Sequence, residues 1–439
     1  MSPHRLVAVP PPPGARPGAA AAVNLVPRLS HQGYARDQVA QRRSWVEEET
    51  GAELRHVGAF SVPSEAMRGN VENPVGVAQV PLGVAGPLRV RGEHARGTFY
   101  VPLATTEGAL VRSYERGMVA LTRAGGAAAR LSRDTNRVSP VFLFRDLESA
   151  HELAPFLAER FAEVRAEAEA TTRHGRLVAL ECTPIGREVI VAFTFSTGDA
   201  HGMNMIVKAA DRACRWIAAE SGALEYLIFS GAESEKRASG ALFAGGKGKR
   251  VVAGAKIPRR TVRAILQTTP ERLADLWRHT VLGHLQAGAL GYNGHVANGL
   301  TALFIATGQD VANVANSAVG ITCFEATAEG DLYASVTLPA LTVATVGGGT
   351  GQGTARECLE MLGCAGSGRA PKLAEIAAAT VLAGEISMAA AIAEGQFVEA
   401  HETYGRNRPA PDPVPSPGRA PAQAPAQLPM DPEGPEAAS

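Results

Sequence analysis

The sequence predicts an α+β protein, a large mixed α/β domain interrupted by a smaller antiparallel one. Three observations lead there. Between residues 138 and 230 the pattern runs strand (VSPVFLF), charged amphipathic helix (146–173), two strands (LVALECT and REVIVAFTF), helix (201 to about 221) and a last strand (YLIFS). That β-α-β-β-α-β order is the ferredoxin-like arrangement. The flanking segments, 31–137 and 231–408, each mix short extended pieces with helices and look incomplete alone, so 138–230 reads as an insertion. The chain has 439 residues, enough for two or three substantial cores.

Residues 1–30 are rich in Pro and Ala and lack the long apolar core of a signal peptide. Helix 37–50 follows, with Asp37 as N-cap and Gly51 just past its end. ENPVGVAQVPLGVAGPLRV, 72–90, is divided by Gly76, Gly83, Gly86, Pro81 and Pro87 into short extended pieces and turns. In ATTEGALVRSYERGMVALTRAGG, 104–126, Thr105 and Thr106 can cap a helix running toward Gly125, with Glu107 in its first turn. An isolated acid there complements the helix dipole and needs no further role. Ser113 and Arg116 lie three apart on one face, able to hold an anion or simply to be solvated.

Inside the small domain, Val189, Val191, Phe193 and Phe195 alternate onto one strand face. The turn FSTGDAHGMNM, 195–205, places Asp199 as a cap and Gly202 at a helix N-terminus, where free N–H groups suit an anion. It has neither GxGxxG nor the Walker spacing, so no nucleotide-fold motif follows. Next comes GAESEKRASGALFAGGKGKRVV, where Glu235, Lys236 and Arg237, then Lys247, Lys249 and Arg250, read as a solvated charged loop or as one that carries a catalytic cation. Helix 259–285 leads into GYNGHVANGLTALFIATGQD, 291–310. There the polar Asn293, His295 and Asn298, an apolar run and Asp310 describe a buried helix closed by Gly308. Polar groups at both ends of a buried segment are costly unless paired, which often marks a site. TLPALTVATVGGGTGQGTARECLEMLGC, 337–364, enters Gly347, Gly348 and Gly349 as a strand and leaves as a helix; it can form a backbone nest for an anion or a plain turn. The last helix, 373–401, is Ala-rich and ends at His401, and 409–439 returns to a Pro/Ala-rich composition expected to be disordered.

Lys+Arg and Asp+Glu both number 43, so no net charge draws the chain to nucleic acid or a membrane surface. Five scattered cysteines without CxxC or Cys/His ligand spacing predict free thiols in a reducing cytoplasm and no metal site. No uncharged apolar run reaches a membrane span; Glu375, Glu385, Glu394 and Glu399 interrupt the best candidate.

Taken together, ENPVG…VPLGVAGPL, ATTEG, GDAHGMNM, EKR, GYNGHVAN, GQD, TVGGGT, ATVLAGEIS and His401, in that order from about 72 to 406, resemble the soluble catalytic portion of 3-hydroxy-3-methylglutaryl-CoA (HMG-CoA) reductase. The resemblance implies reduction of (S)-HMG-CoA by two NADPH to (R)-mevalonate and free CoA in isoprenoid biosynthesis, with NADH as the other candidate cofactor. It makes 138–230 the cofactor domain and 231–408 the catalytic half of the substrate domain. Glu107 matches the catalytic acid, Lys236 the catalytic lysine, Asp310 the catalytic aspartate, and His401 the histidine that protonates the leaving thiolate. The chemistry needs these types. Hydride attack on a thioester puts charge on oxygen, which an ammonium stabilises. An imidazole titrates near working pH and can supply the thiolate's proton. Asp310 is expected to bridge Lys236 and a buried Glu107.

Ser230, Arg137 and Arg278, with Lys236, match positions at the substrate's carboxylate end. His295 and Asn298 match the polar cluster beside the catalytic centre, and Ser113 and Arg116 match positions near CoA. Asp199, Met203 and Asn204, with Gly347, Gly348, Gly349 and Thr350, match the nicotinamide site. The chain departs from the family in having Glu235-Lys236-Arg237 for DKK, Arg278 for a lysine, and His201 for a methionine. Its Arg137 lies one residue out of register, and 230–235 is one residue shorter. The family's active site lies between two subunits, which implies a homodimer or a multiple of it. The membrane anchor of many eukaryotic relatives is not expected here, nor is the regulatory serine, whose place holds Asn407. The competing readings are the oxidative direction with NAD, a related 3-hydroxyacyl-CoA substrate, and a non-catalytic acyl-CoA-binding paralogue.

Overall fold

The structure is a computed structural model and describes residues 26–27 and 33–397; His401, Asn407 and both Pro/Ala-rich ends lie outside it. In chain order the main elements are α1 (Arg36–Thr50), β1 (Leu82–Arg91), β2 (Arg96–Ala104), α2 (Leu110–Arg123), β3 (Ala127–Val138), β4 (Val141–Leu143), β5 (Arg176–Ile185), β6 (Glu188–Ser196), α3 (Met203–Ser221), β7 (Glu225–Leu227), β8 (Gly248–Ile257), α4 (Pro270–Gln286), α5 (Val296–Thr307), β9 (Ile321–Ala326), β10 (Leu332–Leu341), α6 (Gly353–Met361) and α7 (Ala370–Ala393).

One long strand, β3, joins two sheet regions. Its first part pairs antiparallel with β8, and the ladder continues through β10 to β9. The β1–β2 hairpin attaches beside it through a short parallel contact, Val90↔Ala127 and Arg91↔Ala128. The last residues of β3, Asn136 to Val138, pair instead with β6, which also carries β5 and β4; β4 in turn pairs with β7. All of these second-region pairings are antiparallel. A register shift between Leu131 and Arg133 lets β3 leave one region for the other.

Each region buries its own core. In the smaller one, Val189, Val191, Phe193 and Phe195 point to one face, as their alternation predicts, and pack on Ile206, Ala210, Cys214 and Ile217 of α3. In the larger one, α7 runs through the centre, with Leu373, Ile376, Val381, Leu382 and Ile386 all buried. A helix apolar on every side belongs in a core. By length and composition α7 could cross a membrane, but 83% of its most apolar window is buried within the protein. Its two central glutamates are used. Glu385 accepts from the backbone N–H of Gly294 (3.1 Å) and of His295, and from the Thr322 hydroxyl (2.9 Å). Glu375 accepts three N–H groups of the β1–β2 turn, from Glu93, His94 and Ala95 at 3.0, 2.8 and 2.6 Å.

Several sequence expectations change. Ala35, not Asp37, caps α1, where Gln38 reaches back to the cap N–H. The 146–173 helix is three segments, Leu147–His151, Leu153–Glu159 and Phe161–Glu169; Asp146 does cap the first, and Pro155 denies a continuous ladder its N–H. The 259–285 helix breaks at Gln267, whose φ is 59°, before Thr269 caps α4. α7 closes at Ala393, with Gly395 at φ 69°, rather than running to residue 401. All five cysteines are free thiols, and burial pushes Cys364 up to about 11.

Candidate active site

α5 carries the organising segment. Its apolar face packs against β2 and α7, and Gly308 in the left-handed conformation (φ 66°) ends it. Asp310 follows. One carboxylate oxygen caps the next turn by accepting from Ala312 N (3.1 Å); the other lies 2.9 Å from the Lys236 ammonium. Gln309 fixes this loop in place, exchanging bonds of 3.0 and 2.7 Å with the backbone of Ala344. Gly308 and Gly349 also touch backbone to backbone: a Cβ on Gly349 would stand 2.6 Å from the Gly308 carbonyl oxygen. The GQD and GGGT turns are therefore one rigid unit.

Lys236 is presented from a loop with two non-glycine residues in the left-handed region, Ser234 (φ 56°) and Lys236 itself (φ 54°). Such strain persists only where the surroundings enforce it. Here the buried Glu233 does so, accepting from Gly231 N (3.0 Å) and from Arg237 (3.3 Å). Behind the loop lies a charge network that the sequence reading takes for a solvated loop. Lys247 is 2% exposed; its ammonium contacts Glu235 and donates to Asn136 Oδ1 (2.8 Å). Lys249, 3% exposed, pairs with Asp134 (2.9 Å). Alternation along β8 turns Lys249 inward, and Lys247 is buried in the turn just before the strand. Burial pulls the Lys247 ammonium down to about 7, against the opposing pull of Glu233 and Asp310. His201 lies 3.5 Å from Glu235. Burial first, and then the Lys247 charge, hold its imidazole down at about 4. His201, Glu235 and Asp310 each bring a ligand atom within 4.8 Å of the others. Lys236 and Lys247 lie against the two acids, so the group is also an ion-pair cluster.

At the opposite end of α5, Asn298 donates to Glu107 Oε2 (2.8 Å). Glu107 is exposed and sits before α2, whose first residue is Leu110. Thr105 does not cap that helix; its hydroxyl accepts from Glu107 N (2.9 Å). Glu107, Asn298 and His295 line a cavity of about 620 Å³ together with Ser113, Arg116 and Met388. Arg116 donates to the Ser387 hydroxyl (2.9 Å) and carbonyl (2.5 Å), and Ser113 lies 3.3 Å from the same hydroxyl. His295 is buried; its carbonyl accepts from Tyr114 (2.5 Å). The expected burial of Glu107 against Asp310 is not met within one chain, because α5 lies between them.

The two glycine-rich turns do meet. The Asp199 carbonyl accepts from Thr345 N (2.9 Å), just before Gly347. Asp199 does not cap α3. Its carboxylate instead accepts from Gly368 N (2.6 Å) and Ala370 N (3.0 Å) at the start of α7. The N-cap of α3 is Gly202 (φ 73°) with no side-chain cap, so the first turn, with Met203 and Asn204, keeps its N–H groups for a ligand. Gly347 (φ 83°) and Gly348 (φ 55°) face open space, and Thr350 closes their turn on the Gly347 carbonyl (2.7 Å). Uncapped helix N–H groups beside an open glycine turn fit the phosphates of a dinucleotide.

The sequence profile of hydroxymethylglutaryl-coenzyme A reductase matches residues 38–406. The chain belongs to the hydroxymethylglutaryl-coenzyme A reductase family. It is 43% identical over 373 residues to the 3-hydroxy-3-methylglutaryl-coenzyme A reductase of Methanothermobacter thermautotrophicus, covering 84% of this chain and 94% of that one. The reductase of Aeropyrum pernix is 44% identical over 384 residues, with coverage of 85% and 91%. The fold matches that of the class II reductase from Streptococcus pneumoniae bound to NADPH. That likeness has a TM-score of 0.63 at 21% identity, and covers 83% of this chain and all of that one.

Within this reductase fold, one chain brings Lys236 to Asp310 and Glu107 to Asn298 as two separate pairs. The other expected substrate-binding residues are engaged within the chain. Arg278 is exposed on α4 and pairs with Asp275 (3.0 Å). Arg137 pairs with Glu181 (3.2 Å) at the end of β3. The Ser230 hydroxyl donates to the Ser139 carbonyl (2.6 Å), tying together the two ends of 138–230. Sequence reasoning missed Asn136, Lys247 and Lys249. The signal available was the place of Lys249 in an alternating strand; Lys247, one residue before that strand, carried none.

Proposed function

We propose that this chain reduces (S)-HMG-CoA to (R)-mevalonate and free CoA, with two equivalents of NADPH, in isoprenoid biosynthesis. The carrying observation is the Lys236–Asp310 pair, 2.9 Å apart, beside two glycine-rich turns. NADPH, when bound, supplies hydride; the pneumococcal relative's bound cofactor supports NADPH over NADH. Asn204, Met203, Asp199 and the Gly347–Gly348–Gly349–Thr350 turn hold it. Lys236 donates to the thioester oxygen as charge develops there, usually the largest catalytic contribution. Asp310, 2.9 Å away, aims that ammonium. Asn298 orients Glu107, which delivers a proton to the second alkoxide. His401, outside the described residues, protonates the CoA thiolate, as the family's pattern implies. Arg137, Ser230 and Arg278 serve the substrate's carboxylate end. The 620 Å³ cavity with Ser113 and Arg116 takes the CoA arm.

We take 138–230 as an inserted ferredoxin-like cofactor domain. Its support is the antiparallel order β5-β6-β4-β7, with the end of β3 also paired to β6, and a separate apolar core. The remaining boundaries are 31–137 and 231–408 for the large domain, with tails 1–30 and 409–439. The enzyme acts as a cytoplasmic homodimer or a multiple of one. The need for a dimer follows from α5, which keeps Glu107 and Lys236 apart in a single chain; the free thiols and the buried α7 favour the cytoplasm.

The deciding experiment is Lys236→Ala, assayed with HMG-CoA and either NADPH or NADH in both directions, with the product identified by mass. Mevalonate formation should fall about 100- to 1000-fold. Unchanged turnover ends this reading.

A further inference from the structure

The β1–β2 hairpin and the neighbouring β3 form a groove that the proposed chemistry leaves unused. It measures about 410 Å³ and is lined by Arg89, Arg91, Arg96 and Arg130. It shares no lining residue with the Glu107 cavity. Arg89 and Arg91 lie two apart on the exposed face of β1, and Arg91 stands directly opposite Arg96 in the antiparallel register. Like charges directly opposite each other destabilise a ladder. Compensation is slight: Glu93 lies 3.4 Å from Arg130, with both side chains more than half exposed. Four guanidiniums against Glu93 and the buried Glu375 carboxylate beneath the turn leave two positive charges over.

The guanidiniums are held in place. Gly126 O accepts from Arg91 (3.3 and 3.2 Å), Gly92 O from Arg96 (3.0 Å), and Ala129 O from Arg130 (2.7 Å). Each retains further N–H groups, since a guanidinium carries five. The Arg89 guanidinium has no hydrogen-bond or ion-pair partner among the described residues. The turn beneath is rigid, because the fully buried Glu375 takes its three N–H groups. The cations are thus arranged in advance at the cost of mutual repulsion, which is the form of an anion receptor.

We propose that this groove binds a compact polyphosphate anion, a diphosphate or larger, through paired guanidinium–phosphate contacts. A surplus of two charges suits a diphosphate better than a monoanion, and planar guanidiniums match its oxygens two at a time.

The test is calorimetry of the full chain, saturated with NADPH so that the α3 and GGGT turns are occupied, with pyrophosphate, inorganic phosphate or sulfate at matched ionic strength. Pyrophosphate should bind at one site per chain and more tightly than the other two. Each lost guanidinium should weaken it about tenfold, so Arg91→Gln/Arg96→Gln together should weaken it about a hundredfold. Arg89→Gln alone, which breaks no contact, gives the same readout if the double variant folds poorly. Lys236→Ala should bind pyrophosphate normally, which separates this site from the reductase chemistry. Equal affinity for all three anions, no binding at all, or pyrophosphate affinity unmoved by Arg89→Gln overturns the proposal.

Discussion

Asn298 stands in the first turn of α5 and Asp310 just beyond its last, with Gly308 and Gln309 between helix and acid. At about 1.5 Å of rise per residue, the helix alone sets them about 14 Å apart. Asn298 holds Glu107 and Asp310 holds Lys236, so a rigid core helix keeps the proposed catalytic groups in two separate pairs.

That division makes a strong prediction about mixed oligomers. Glu107→Ala and Lys236→Ala homodimers should each be inactive. In a mixed dimer, one of the two composite sites recovers both native groups. Random assembly after co-expression should therefore return about a quarter of the native rate per site. Recovery indistinguishable from zero, with mixed dimers shown by mass spectrometry, contradicts shared sites.

The contact between Gly308 and Gly349 should be equally exacting. A methyl on Gly349 points at the Gly308 carbonyl, a backbone atom that cannot rotate away. Gly349→Ala should cost about 1–3 kcal/mol, as overpacking does, and should weaken NADPH binding by moving the GGGT turn. Gly351→Ala, where nothing lies within 4 Å, is the control and should leave the melting temperature unchanged. Thermal melts with and without NADPH compare the two.

Which parts were legible follows from the kind of signal each residue carries. α5 and its Gly308 end were plain, because a continuous apolar run and a left-handed glycine are local. The β6 face was plain for the same reason, as alternation needs no partner. Glu375 and Glu385 read only as interruptions of an apolar helix, since their partners, the N–H groups of Ala95 and His295, are backbone and carry no sequence mark. Asp199 looked like the cap of the helix just after it; its carboxylate serves α7, far along the chain. Lys236 and Asp310 are 74 residues apart, and no spacing rule joins them; only the family pattern suggested the pair. The inward turn of Lys249 needed knowledge of which face of β8 is covered.

Lys247 gives a prediction about stability. Removing one member of a buried ion pair strands the other, usually at about 3–5 kcal/mol. Lys247→Met leaves Glu235 and the Asn136 carbonyl without their cation and should be destabilised to that extent. Adding Glu235→Gln removes the stranded charge and should recover most of the loss. Urea denaturation of the two variants checks both statements. A double variant no more stable than the single would show that Glu235 is not the group that Lys247 serves.

His201 should make stability depend on pH. Its imidazole is held at about 4 in the fold, by burial first and then by Lys247, against 6.5 for the free side chain. Between those values the unfolded chain binds a proton that the folded chain refuses. Stability should therefore rise as pH climbs from 4 to 6.5 and be flat, in this contribution, above it. The shift corresponds to about 2 kcal/mol less stability at pH 5 than at pH 7.5. His201→Met, which restores the residue usual in the family, removes the titrating group and should abolish that part of the slope. Lys247, Lys249, Glu235 and Asp310 all face the same ring and remain in the variant. Subtracting the variant's urea midpoints from those of the native chain, at half-unit steps from pH 4.5 to 8, isolates the histidine. A difference that does not change with pH across 4.5–6.5 would mean that the imidazole takes up its proton in the fold as readily as in water.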